Sequence, residues 1–306
     1  MERVRLMCWC QSCVGGVHLP AFAAAEGGLF AEQGLEVEFV DAATAPDWSL
    51  RGFTARVKAV AAGEADFALT SVAYLLAAQA DAGGSLPARF AATSHQRNPI
   101  AAVVRDGSDL EEPADLPGSR AARWSMPWFT AEYEGALRHM GLGPSETVDT
   151  PGDLDQALGS GAIDVIPTWA DMSLHHRKAG FPIRVIRLDV EVYATGLVAA
   201  DRLPLDLVSR MRDAFVAGYD LQVERPELGI AAFRRRFPGI SEAHVRANWA
   251  LFAPNAFVEG SPGAMDEDRW RATIDYTAAT HELPVFPAER IYRPELLSPA
   301  TEYSLA

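Results

Sequence analysis

His18-Leu19-Pro20-Ala21-Phe22-Ala23-Ala24-Ala25-Glu26-Gly27-Gly28-Leu29-Phe30-Ala31-Glu32-Gln33-Gly34-Leu35-Glu36-Val37 decides how the rest of this chain is read. Pro20 to Glu32 predicts a helix, with proline near its first turn and Gly34 closing it. Leu35 to Val40 then alternates apolar and polar at period two, the pattern of a strand. Upstream, Val4 to Trp9 reads as a preceding strand. Downstream, Arg51 to Ala62 is helical, and Gly63-Glu64-Ala65-Asp66 turns into the short buried strand Phe67 to Thr70. Ser71 is placed to cap a helix running to about Ala82, and Arg89 to Ser94 is a further strand. This βαβα order predicts a parallel sheet with helices on both faces.

The pattern then restarts. Ile100 to Arg105 is extended, and a polar loop leads through Pro117-Gly118 to Ser119–Trp124, which can enter a second sheet. Helices are expected over Pro127–Met140, Gly152–Gly159 and Asp171–Ala179, with strands at Ala162–Pro167 and Ile183–Leu188. Glu191 to Ala200 leads back toward the first unit. Beyond Pro204 the chain reads as helical in four stretches, ending with Met265–His281, and the Pro-rich tail from Leu283 is expected at the surface.

Three hundred and six residues suit about two globular units on a prior of roughly 100–200 residues each. Acidic residues outnumber basic ones 41 to 27, and the net charge of −14 disfavours phosphate backbones and anionic lipid. Neither a nucleic-acid partner nor membrane insertion is expected, since no run approaches the ~20 apolar residues of a spanning helix. Met1–Arg5 runs directly into Leu6–Cys10 without a signal-type apolar region or lipobox. The expectation is a cytoplasmic chain as written, or a periplasmic or extracellular one if the true start lies upstream. Only Lys58 and Lys178 are lysines, which restricts Schiff-base chemistry to two positions.

The opening stretch, together with Ala62-Gly63-Glu64-Ala65-Asp66-Phe67-Ala68-Leu69-Thr70-Ser71, Asp115-Leu116-Pro117-Gly118 and Gly161-Ala162-Ile163-Asp164-Val165, resembles the NMT1/THI5-like (SsuA/ThiY/TauA-type) group of type II periplasmic binding proteins. The likeness covers roughly residues 4–285. It implies two α/β lobes joined by two crossing strands near 97–102 and 190–196, with a ligand cleft between. Lobe 1 would comprise 1–97 and 195–285, lobe 2 would comprise 98–194, and 286–306 would be a surface tail. The implied function is a small-molecule binding protein clamping an organic, anionic or aromatic ligand, with an ABC permease as partner if the chain is exported. Physics agrees on the place: ligands of open α/β sheets sit beyond strand C-termini, near helix N-termini.

Four loops qualify for the cleft. The first follows strand one and holds Trp9, Cys10, Gln11 and His18, with Gly15-Gly16 allowing close backbone approach or merely a turn. The second is Thr70-Ser71, whose hydroxyls serve a ligand or only the helix cap. The third is Trp124-Ser125-Met126-Pro127-Trp128, a Ser-x-Pro helix start between two indoles, and the fourth is Thr168-Trp169-Ala170-Asp171. Single tryptophans are commonly core, but the clustering of Trp9, Trp124, Trp128 and Trp169 at these ends favours a flat ligand held by stacking. Arg97 at the first crossover is the candidate carboxylate or sulfonate clamp, or else braces the hinge. Tyr193 sits at the second crossover.

The three cysteines, Cys8, Cys10 and Cys13, lie within six residues and do not form a disulfide scaffold. Cys8 reads as buried packing. Cys10-x-x-Cys13 with His18 lacks an evident fourth zinc ligand, and no metal is expected. A reactive thiolate and plain loop residues remain the alternatives. His175-His176 read as surface residues. The resemblance also brings a catalytic alternative, a desulfinase- or decarboxylase-like lyase or hydrolase acting on an aromatic acid or sulfinate, with Cys10 or Cys13 as nucleophile or acid and His18 as proton partner. It argues against a PLP-dependent thiamine-pyrimidine synthase. That activity implies a lysine and histidine where Leu69-Thr70-Ser71-Val72-Ala73-Tyr74 stands, and a CCCFC segment where Glu191-Val192-Tyr193-Ala194-Thr195-Gly196 stands. No cofactor is expected.

Overall fold

The computed structural model describes residues 1–8, 16–41, 48–178, 180–258 and 262–297, with Arg177 and Lys178 described by backbone only. The first βα series is β1 (Glu2–Cys8), α1 (Leu19–Glu26), α2 (Leu29–Glu32), β2 (Leu35–Asp41), α3 (Ala55–Ala62), β3 (Phe67–Ser71), α4 (Val72–Asp81) and β4 (Ala88–Thr93). The second is β5 (Ile100–Arg105), β6 (Arg120–Arg123), α5 (Pro127–His139), β7 (Glu146–Asp149), α6 (Leu154–Ser160), β8 (Ile166–Trp169) and β9 (Ile183–Arg187). After β10 (Thr195–Ala200) come α7 (Leu205–Glu224), α8 (Pro226–Arg236), α9 (Glu242–Ala256) and α10 (Glu267–His281).

The first sheet has the order β2-β1-β3-β10-β4. β1 is parallel to β2 and β3, as the sequence predicts, but β10 enters antiparallel between β3 and β4. The expectation of a purely parallel sheet is therefore corrected: the chain returns from the second unit in the opposite sense. Gly196 permits the insertion, because a Cβ there would overlap the Ala92 carbonyl oxygen. β3 and β10 are buried at every residue, as strands covered on both faces must be.

The second unit is assembled differently. β5 lies between β8 and β9, antiparallel to both, while β6 and β7 pair in parallel and touch the rest through an Ala121–Val165 bridge. The strand expected over Ala162–Pro167 starts later, at Ile166, with Val165 making only that bridge. β7 had no counterpart in the sequence reading. The helix expected over Asp171–Ala179 is a 3-10 segment, Ala170–Lys178. The crossing chains meet where Asn98 N donates to Val190 O at 3.0 Å.

The tail is the main correction outside the sheets. Ile291, Tyr292, Arg293 and Leu296 are buried, not superficial. Phe90 N donates to Ile291 O (2.8 Å) and Arg293 N donates to Phe90 O (3.0 Å). β4 is the edge strand of the first sheet, and its outward backbone groups need partners that the tail supplies. Among the described residues, no helix is long and apolar enough to cross a membrane.

Candidate functional site

Strand ends of the first sheet converge on the crossover. In register, Thr195 faces Ser71, and Gly196 stands between Thr70 and Thr93. Ser71 caps α4, its hydroxyl accepting from Ala73 N at 3.2 Å, so the capping alternative holds for that side chain. Thr70 is fully buried, and its hydroxyl has no hydrogen-bond partner among the described residues. His95, the second residue after β4, shares a hydrogen bond between Nδ1 and Thr195 Oγ1 (2.7 Å) and leaves Nε2 buried without one.

An aromatic belt passes across this point from the first unit to the second. Phe53 stacks on Tyr74 (5.0 Å between centroids), and Trp128 meets both rings edge-on at 6.2 and 5.7 Å. Trp169 lies 5.5 Å from Trp128 and 5.7 Å from His95, and His95 meets Phe252 at 4.6 Å. Trp169 Nε1 donates to Glu132 Oε2 (2.7 Å). Trp128 Nε1 is buried with no partner among the described residues, against the usual rule that buried indole N–H groups are satisfied. Two of the four tryptophans singled out in the sequence thus join one belt. Trp124 stacks on Phe129 beside it (5.8 Å), and Trp9 lies outside the described residues.

Charge in this region is unusual. Burial, reinforced by the Arg56 guanidinium, pushes the His18 imidazole down to about 3, so it is neutral at physiological pH. Burial, with Arg187 adding to it, does the same for His95, also to about 3. Asp171 moves the other way: burial lifts its carboxyl to about 6, against the opposing pull of its own and Met172 backbone N–H groups. Its Oδ1 has no hydrogen-bond partner among the described residues.

Two residues of the site escaped the sequence reading. Arg56 is 2% exposed, with its guanidinium 5.4 Å from the Phe53 ring centre. The signal was available, since Phe53 and Arg56 stand at i, i+3 spacing on one face. Asn248, buried in α9, accepts from Gly16 N and donates from Nδ2 to Asp171 O at 2.9 Å. It ties the start of the chain to the segment after β8. Gly16 itself lies so close to α9 that a Cβ would overlap Phe252, so its freedom serves packing and not a ligand approach.

Other expectations find different surroundings. Arg97 pairs with Glu191 (2.6 Å), which also binds Arg269 (3.1 Å). Tyr193 is buried, and its hydroxyl accepts from Asp266 N at 2.9 Å. Ser125 is exposed, Met126 is half-buried, and α5 begins without a side-chain cap, so the Ser-x-Pro start is not a capped one. Trp124 and Ser125 line a groove of about 790 Å³ with Arg123, Asp149 and the two histidines. His176 is no free surface group: its Nδ1 lies 2.7 Å from Asp155 Oδ1. Cys8 is buried, its thiol pushed up to about 12, as packing requires. Cys10, Gln11 and Cys13 lie outside the described residues. Among the described residues, no three His, Cys, Asp or Glu side chains are grouped to hold a metal.

The architecture has close counterparts among solved structures. The periplasmic aliphatic sulphonate binding protein SsuA from Escherichia coli superposes with a TM-score of 0.70 at 14% identity, over 98% of this chain and 94% of that one. The alkanesulfonate-binding protein SsuA from Xanthomonas axonopodis pv. citri, bound to MOPS, gives 0.64 at 15% identity over 95% and 98%. A cysteine-to-serine mutant of DszB in complex with biphenyl-2-sulfinic acid gives 0.60 at 14% identity over 97% and 98%. These likenesses establish the two-lobed periplasmic-binding-protein fold. No curated protein matches the sequence significantly. Residues 16–228 match the NMT1/THI5-like family, and the chain belongs to that family.

Proposed function

We propose that this protein is a small-molecule binding protein that closes two lobes on an organic ligand with a flat aromatic part, in the manner of the solute-binding component of an ABC importer. The observation that carries the reading is the aromatic belt. Phe53 and Tyr74 come from the first unit and Trp128 and Trp169 from the second, and buried polar atoms with no hydrogen-bond partner among the described residues lie along it. Apolar walls with a few oriented polar groups are what a ligand site needs. Family membership and the fold support the same reading. Lobe 1 is taken as 1–97 with 195–285 and lobe 2 as 98–194, hinged at the Asn98–Val190 bridge. The buried Arg56 guanidinium supplies positive potential suited to an acidic group on the ligand. Docking to a permease, and with it a location outside the cytoplasm, belongs to the same proposal.

A catalytic reading, with Cys10 or Cys13 attacking an aromatic sulfinate or acid, is favoured only by the likeness to DszB. His18 weighs against its part in that chemistry, because an imidazole that stays neutral down to about pH 3 has no extra proton to donate at neutral pH. Native mass spectrometry of the purified chain separates the two. A co-purifying organic compound released intact, with affinity lost in Trp128→Ala and kept when Cys10 and Cys13 are both serine, is the expected result. Recovery of a chemically altered ligand would transfer the assignment to the enzyme class.

A further inference from the structure

Glu132 is a carboxylate buried within α5, and a buried carboxylate persists only where its oxygens find partners. Both oxygens of Glu132 do. Oε2 accepts from Trp169 Nε1 at 2.7 Å, and Oε1 lies 3.6 Å from Nε2 of His281, whose side chain is also buried. One side chain thereby joins a ring of the aromatic belt to the last residue of α10. The junction is close-packed. One turn beyond Glu132, a Cβ at Gly135 would overlap the Thr280 side chain, and the Tyr276 hydroxyl donates to the Glu132 carbonyl at 3.3 Å.

An indole has a single N–H, so the group that accepts it fixes the plane of the ring. A charged acceptor makes that bond roughly twice as strong as a neutral one. Held in this way, the Trp169 ring lies 5.5 Å from Trp128 and 5.7 Å from His95. We propose that Glu132 is a positioning residue of the ligand site, holding the Trp169 indole in its binding orientation and tying that wall to His281 across the proposed division between lobes. This rests on the belt being the ligand chamber. Glu132 acts through Trp169, by sparing the ligand the ordering of a mobile ring.

The test pairs NMR of the indole N–H groups with calorimetry, using naphthalene-2-carboxylate as the probe, a planar ring with one acidic group. Trp169→Phe identifies the Trp169 indole signal by its loss. In the wild type that proton is expected to exchange slowly with solvent, and its signal should move upfield in Glu132→Gln, where the acceptor loses its charge. His281→Leu should move the same signal. An indole proton that exchanges as an exposed one does, or a signal unmoved in both variants, overturns the proposal. Glu132→Gln should weaken probe binding by about two- to tenfold, as expected for one side chain left to be ordered on binding. In the Trp169→Phe background the same substitution should have no further effect, and an equal loss in both backgrounds overturns the proposal. If Glu132→Gln does not fold, wild-type exchange and His281→Leu decide. A probe that fails to bind the wild type, or binds without shifting the Trp169 signal, removes the belt as chamber and the positioning role with it. An indole signal that still answers to Glu132 in that case places the failure in the chamber and not in the Glu132–Trp169 bond.

Discussion

The aromatic belt and the charged brace at the crossover are neighbours built on opposite principles. The belt is buried, its His95 imidazole is neutral, and several of its polar atoms have no hydrogen-bond partner among the described residues. The brace is wet and paired: Arg97 and Arg269 share Glu191, whose side chain is 50% exposed. One short segment feeds both, His95 entering the belt and Arg97 the brace. A group in the belt has its energy set by burial, whereas one in the brace is screened by solvent. Truncations should therefore differ by several-fold between residues only two positions apart.

The largest expected effect is on Trp128. Trp128→Ala should lower unfolding free energy by about 3–5 kcal/mol, the usual range for emptying a buried aromatic site, and should abolish ligand binding. Urea denaturation with calorimetry checks both, and a loss below about 1 kcal/mol would dissolve the contrast with the brace.

Acid sensitivity comes next. His18 and His95 have folded-state values depressed from 6.5 to about 3, so the unfolded state binds more protons between those limits. Their contribution is present above about pH 6.5 and is lost as pH falls toward 3. Asp171 has the opposite sign, since its raised value makes it a burden above about pH 6 that is relieved as pH falls toward 3.8. Between pH 7 and 5 the histidines prevail, and stability should fall by about 2–3 kcal/mol. A pH series of urea melts tests this, and His95→Asn should make the profile visibly shallower. An unchanged slope in that variant would mean that His95 is not buried neutral.

Asn248→Ala removes one acceptor from Gly16 N and one donor from the Asp171 carbonyl, leaving buried groups unpaired at a cost of about 1–3 kcal/mol. The same variant should expose the segment after β8 to faster amide exchange. Protection identical to wild type would remove Asn248 as a tie. Smallest of all, Arg97→Ala should cost less than about 1 kcal/mol, because the Arg97–Glu191 pair is partly exposed and solvent-screened. A stability loss comparable to that of Trp128→Ala would move the brace into the same energetic class as the belt.

Much of the fold was legible along the chain. The alternation of Leu35–Val40, the proline opening α1 and the glycines closing helices place the first βα series without any long-range information. β10 is apolar from Leu197 to Ala200, yet nothing local states that it runs antiparallel between β3 and β4. That depends on Gly196 meeting Ala92 across more than 100 residues of sequence. The tail looked superficial because its prolines break regular structure. Its burial comes from the unpaired edge of β4, which no feature of the tail announces. In the site, Trp128 and Trp169 were found because large aromatics beside strand ends are rare enough to notice. Arg56 and Asn248 were missed because an arginine or asparagine within a helix looks solvated until its burial is known.

Chemistry and local conformation were therefore determined by the sequence alone: an NMT1/THI5-like two-unit chain, acidic, with aromatic side chains gathered at strand ends and hydroxyls at a helix start. Only the tertiary structure decided which of those groups face water and which face one another. It sent Arg97 to Glu191, drew His18, His95 and Asp171 into a medium that resists their charged forms, and left Trp128 Nε1 and Asp171 Oδ1 without a hydrogen-bond partner among the described residues. The reason is physical. Backbone periodicity is a short-range property, whereas desolvation and pairing depend on residues brought together from distant parts of the chain.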